Sequence, residues 1–136
     1  MSFHSAENIT FLSILGLFLA VSSPVLGQQS INSAGEEYYV SADAGPNGDG
    51  SRQDPFLSLS QVDSISVAGD TIYLLSSNSG KVLDGGIALK PRQRLIGLGV
   101  NGEIPENTAD RVKLTNTADL SDGVMVQLSE QNEVAG

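Results

Sequence analysis

The chain has 136 residues, with sixteen acidic against seven basic side chains and a net charge of −9. That balance excludes the basic footprint that binding to nucleic acid or to anionic lipid requires. There is no cysteine and one histidine, His4, so the body of the chain has no disulfide, thiolate nucleophile, cysteine zinc site, Ser-His-Asp triad or His-ligated metal.

Phe11 to Val21, FLSILGLFLAV, is apolar apart from one serine, and Ser22-Ser23-Pro24 and Val25-Leu26-Gly27 follow it. A short apolar core, a helix-breaking proline and small or aliphatic residues at −3 and −1 match a secretory signal cleaved after Gly27. The core is too short for the roughly 20 residues a bilayer span takes. The segment departs from the pattern in having no Lys or Arg before the apolar core. Residues 1–27 are therefore expected to be a signal peptide and 28–37 a polar linker, with the mature protein secreted or in the cell envelope (periplasm or outer surface).

Tyr38-Tyr39-Val40 has strong β propensity. The loop Ser41 to Ser51 is dense in turn residues, and Asp54-Pro55-Phe56 follows. Leu59, Val62 and Ile65 recur at three-residue spacing, which predicts one or two helical turns with an apolar stripe, ended near Gly69. Thr71-Ile72-Tyr73-Leu74-Leu75 is the clearest strand.

This order of Tyr-Tyr-Val, a Gly/Asp/Asn loop, Asp-Pro-Phe, a short amphipathic helix and Gly69-Asp70-Thr71-Ile72-Tyr73-Leu74 resembles the N-terminal entry of the pectate-lyase-like superfamily of right-handed parallel β-helices, bacterial exported members in particular. Asp84 to Lys90 and Gln93 to Gly99 are similar to the first coils of such proteins. The resemblance covers residues 38 to 136. It implies an all-β fold, a right-handed parallel β-helix, with residues 38–70 as an N-terminal cap carrying a short helix and 71–136 as the first two coils. It implies no particular activity, because the superfamily includes polysaccharide lyases, glycoside hydrolases and adhesins.

Residues 71–97 overlay 110–136 at one offset of 39, which sets Tyr73 on Val112, Leu75 on Leu114, Ile87 on Val126, Leu89 on Leu128, Leu95 on Val134 and Gly97 on Gly136. Strands are expected at 71–75, 86–90 and 94–97, then at 111–115, 124–128 and 132–136, with apolar residues at i and i+2 facing inward. Three strands per repeat describe a three-faced solenoid coil, and Gly99 to Ala109 is expected to bulge from the first as a loop. Two coils are fewer than the three or so that a solenoid usually needs. Val134-Ala135-Gly136 provides no polar cap. A truncated solenoid is the expectation, and its open edge would meet a continuation of its own β-helix or a second copy.

Candidate sites are few. Asp43, Asn47 and Asp49 lie in a loop that mimics part of a calcium site, but Gly45 stands where the first ligand belongs and Phe56 where the bidentate glutamate belongs. A turn is the preferred reading there, and Ca²⁺ is the only cofactor considered. Asp84 and Asp122 precede the second strand of each half, where stacked carboxylates would make a glycosidase pair; Asp84-Gly85 and Asp122-Gly123 read more simply as turns. Lys90, Arg92, Arg94, Arg111 and Lys113 form a basic cluster read as a solvated face, with Arg94 and Glu133 placed for an ion pair across coils. No catalytic residue is assigned. The function expected is an exported, adhesin-like surface-interaction module or a carbohydrate-binding scaffold, with a polysaccharide or cell-surface ligand as partner. The alternative is the front of a polysaccharide lyase or glycoside hydrolase whose catalytic coils lie beyond residue 136.

Overall fold

The computed structural model describes residues 35–117 and 124–136. The signal-peptide segment 1–27, the linker up to residue 34, and Asp122 lie outside the described residues.

The aromatic, β-branched run at Tyr38 forms strand β1, Glu37–Ser41. One edge of β1 is closed by the turn-rich loop that follows it. Tyr39 N–H donates to the Gly50 carbonyl at 2.8 Å, Ser41 N–H to the Phe56 carbonyl at 2.9 Å, and Phe56 N–H to the Tyr39 carbonyl at 2.9 Å. The Asp-Pro-Phe signal therefore anchors a cap on the strand edge, with the Phe56 ring 6.3 Å from that of Tyr38. Helix α1, Leu59–Ile65, starts after Ser58, whose N–H donates to Gln61 Oε1 at 3.1 Å. Leu59 and Val62 are fully buried, but Ile65 is 48 % exposed and does not continue the apolar stripe. A three-residue spacing falls about 60° short of a full turn at each step of a 3.6-residue helix. By its second step the stripe has rotated off the core.

Seven further strands follow: β2 Thr71–Leu75, β3 Leu83–Asp84, β4 Ile87–Ala88, β5 Arg94–Leu98, β6 Leu114–Thr115, β7 Val126–Gln127 and β8 Glu133–Ala135. Every pairing is parallel. The sheets are β1-β2-β5-β8, β3-β6 and β4-β7. From β2 onward the chain visits the three sheets in rotation and returns to the first at β5 and again at β8.

The offset of 39 holds at two places, Ile87 on Val126 and Leu95 on Val134. It fails elsewhere. Tyr73 lies between Tyr39 and Ile96 rather than on Val112, and Leu75 between Ser41 and Leu98 rather than on Leu114. Leu114 lies on Leu83, in a strand the sequence pattern did not reveal. Strands 71–75 and 94–98 are thus neighbours in one sheet, not two faces of one coil. The reason is loop length. The β2–β3 connection is residues 76–82 and the β5–β6 connection is 99–113. The longer one absorbs extra residues, including Gly99 to Ala109, so that sheet register is kept while the period changes.

Ile72 and Leu95 align along one row of the core, with Val134 continuing that row at the exposed last layer and Val40, Leu74, Leu83, Ile87 and Leu89 buried around the first two. A polar ladder runs beside that row. Asp70, Gln93 and Asn132 each immediately precede a strand of the four-stranded sheet. Each side chain accepts the N–H three residues back: Val67 to Asp70 Oδ2 at 2.6 Å, Lys90 to Gln93 Oε1 at 2.8 Å, and Ser129 to Asn132 Oδ1. The rungs also reach to the layer below. Gln93 Nε2 donates to the Val67 carbonyl at 2.8 Å and Asn132 Nδ2 to the Lys90 carbonyl at 2.7 Å. The turns leading to two of these rungs share a left-handed residue, Arg92 at φ 62° and Gln131 at φ 56°.

Candidate functional site

The connections after β1, β2 and β5 all leave the same end of the four-stranded sheet, so segments 42–56, 76–82 and 99–113 gather there. Asp43 ties the first two together. Its carboxylate accepts the Asn78 N–H at 2.9 Å, the Ser79 N–H at 3.4 Å and the Ser79 hydroxyl, and Lys81 Nζ stands 3.8 Å away. The Ser79 hydroxyl is the main cause of a carboxyl held below its ordinary value, with Ser77 adding to it. Asp49 instead accepts the Ser51 N–H at 2.8 Å, and the Ser51 hydroxyl first, then this N–H, hold its carboxyl below the ordinary value. Asn47 is exposed. Asp43 and Asp49 are therefore engaged by different segments, as turn residues, and among the described residues no group of three His, Cys, Asp or Glu is placed to hold a metal.

Asp84 has Thr115 as its register partner, and Asp122, the other carboxylate of the expected pair, lies outside the described residues. Asp84 accepts the Thr117 N–H at 2.7 Å, the Thr117 hydroxyl and the Thr115 hydroxyl at 3.3 Å. The Thr117 hydroxyl leads the causes that keep this carboxyl below its ordinary value. A general acid needs the opposite shift, upward toward neutral pH. Asp43 and Asp84 are clamps between segments, and their chemistry is that of binding and bracing.

The basic residues do not form one face. Lys90 Nζ reaches the Asp63 carbonyl at 2.6 Å and its carboxylate at 3.4 Å, against helix α1. Arg94 makes a two-point pair with Glu133, Nε to Oε2 at 2.8 Å and the second nitrogen to Oε1 at 3.2 Å, as the cross-layer reading expected. Arg92 sits in its left-handed turn. Arg111 and Lys113 lie elsewhere, on a recess of about 130 Å³ that also includes Ser76, Ser77, Lys81 and Asp110. The sequence pattern missed Lys81 as a member of this group. The signal that would have found it is the β2–β3 turn, Ser77 to Gly80, which sends Lys81 back toward the 109–113 segment.

No helix among the described residues is long and apolar enough to cross a membrane. A comparison with family models, curated proteins and solved structures finds no match to this chain.

Proposed function

We propose that this chain is an exported interaction scaffold built as a right-handed parallel β-helix, bearing ligand-binding loops at one end of its largest sheet and carrying out no catalysis of its own. Rotation of the chain through three parallel sheets supports the architecture. Carboxylates spent on structural hydrogen bonds support binding over hydrolysis.

One observation carries the interaction reading. Leu89 and Leu95 are 4 % and 2 % exposed, whereas Leu128 and Val134, one layer up, are 63 % and 54 % exposed. The β1 edge is closed by residues 50–56, and the β8 edge is open. A second copy can meet this chain edge to edge at β8. Such a contact is isologous and self-limiting rather than fibre-forming.

Size-exclusion chromatography with light scattering on the exported protein tests this. A dimer that dissociates on dilution and is lost in Val134→Lys is the expected result. A monomer at every concentration, or recovery of the protein from the cytoplasm with Met1 intact, would overturn the corresponding half of the proposal.

A further inference from the structure

Seven cations serve a chain with sixteen acids. Lys81, Lys90 and Arg94 are paired with Asp43, Asp63 and Glu133. Among the described residues Arg111 and Lys113 form no ion pair, although carboxylates are abundant. They flank Val112, which packs on the core, while they themselves are exposed. Alternation of an extended chain therefore sets both on the side away from the core, about 7 Å apart.

The recess they line is braced at two points. Ser76 Oγ donates to the Asp110 carbonyl at 2.5 Å, and Leu83 N–H donates to the Lys113 carbonyl at 3.1 Å. These bonds hold the 76–81 loop against the 109–113 segment and bring Lys81 to the same rim. The Asp110 carboxylate also borders the space, but it accepts Asn107 Nδ2 at 2.6 Å. Two unpaired cations, with Lys81 held 3.8 Å from Asp43 beside them, thus face one carboxylate that is already engaged. The volume of about 130 Å³ equals that of about four liquid waters, enough for one oxyanion with part of its hydration.

We infer that Arg111 and Lys113, with Lys81 on the same rim, form a binding site for a single oxyanion group, a sulfate, phosphate or carboxylate, of a ligand. Guanidinium and ammonium donors converging on one anion make charge-assisted bonds, and fixed loops lower the ordering cost. The site uses no residue of the β8 edge, so it stands or falls apart from self-association.

The test is an amide NMR titration of the exported protein with sodium sulfate, sodium phosphate and sodium acetate, each at constant ionic strength set with chloride. Saturable shifts confined to residues 76–81 and 109–113 are expected. Sulfate or phosphate saturating first would identify a tetrahedral oxyanion, and acetate saturating first a carboxylate; either supports the site. Arg111→Gln with Lys113→Gln should weaken binding at least about tenfold, as loss of charge-assisted hydrogen bonds predicts, while Arg92→Gln leaves it unchanged. Shifts that never saturate, that spread equally to Arg52, Lys90 and Arg92, or that persist in the double variant would overturn the inference.

Discussion

Gln93 is the residue on which two layers depend. It is fully buried, and its amide is used at both ends, by the Lys90 N–H and the Val67 carbonyl. A buried amide is tolerated because each polar atom finds a fixed partner. Removing it strands both backbone groups away from water. Gln93→Ala is expected to cost about 3 kcal/mol, the sum of two unsatisfied buried groups at the usual penalty, read as a fall in the urea midpoint at unchanged slope. A change below about 0.5 kcal/mol, the range of an ordinary surface substitution, would remove the ladder from the list of stabilising features. The role was readable only in part. A polar residue placed directly before a strand marks Asp70, Gln93 and Asn132 alike, but an exposed turn residue looks the same in sequence.

Between elements, the same kind of residue has different worth in successive layers. Leu89 N–H donates to the Gln127 carbonyl at 2.9 Å, so the strand carrying Leu89 is covered by the strand leading to Leu128. Leu89→Ala should cost about 2–5 kcal/mol, as for a buried leucine, whereas Leu128→Ala should stay within about 0.5 kcal/mol in the monomer. Chemical denaturation of both variants checks this, and equal costs would contradict the open last layer. The periodic pattern placed β4 on β7 and β5 on β8 because their connecting segments have matching lengths. It misplaced β2 and missed β3. Two-residue strands such as Leu83–Asp84 leave almost no alternation to detect, and their partner is chosen by hydrogen bonds made from distant parts of the chain.

Across the whole molecule, three exposed carboxylates join one layer or loop to another: Asp43 to 78–79, Asp84 to 115–117 and Glu133 to Arg94. All three are held below their ordinary values, by Ser79, Thr117 and Arg94 respectively. A carboxyl lowered in the folded state binds fewer protons than in the unfolded state, so stability rises with pH across that interval. Their contribution is complete above the unfolded value of about 4 and is lost as pH falls through the lower folded values. Thermal melts over a pH series should show a melting temperature that declines below about pH 4, with a shallower decline in Asp84→Asn. Identical acid profiles for the two proteins would show that this clamp is not pH-linked.

The sequence alone determined what chemistry the chain lacks, where β1, α1, β2 and β5 lie, and that some of its strands recur at an offset of 39. These properties are written locally, in composition, propensity and short-range alternation. Only the tertiary structure decided that β5 lies on β2, that Leu83 meets Leu114, and that Lys81 shares a recess with Arg111 and Lys113. Parallel pairing joins residues far apart in the chain, and loops of unequal length set which residues meet. Neither leaves a trace in the local pattern.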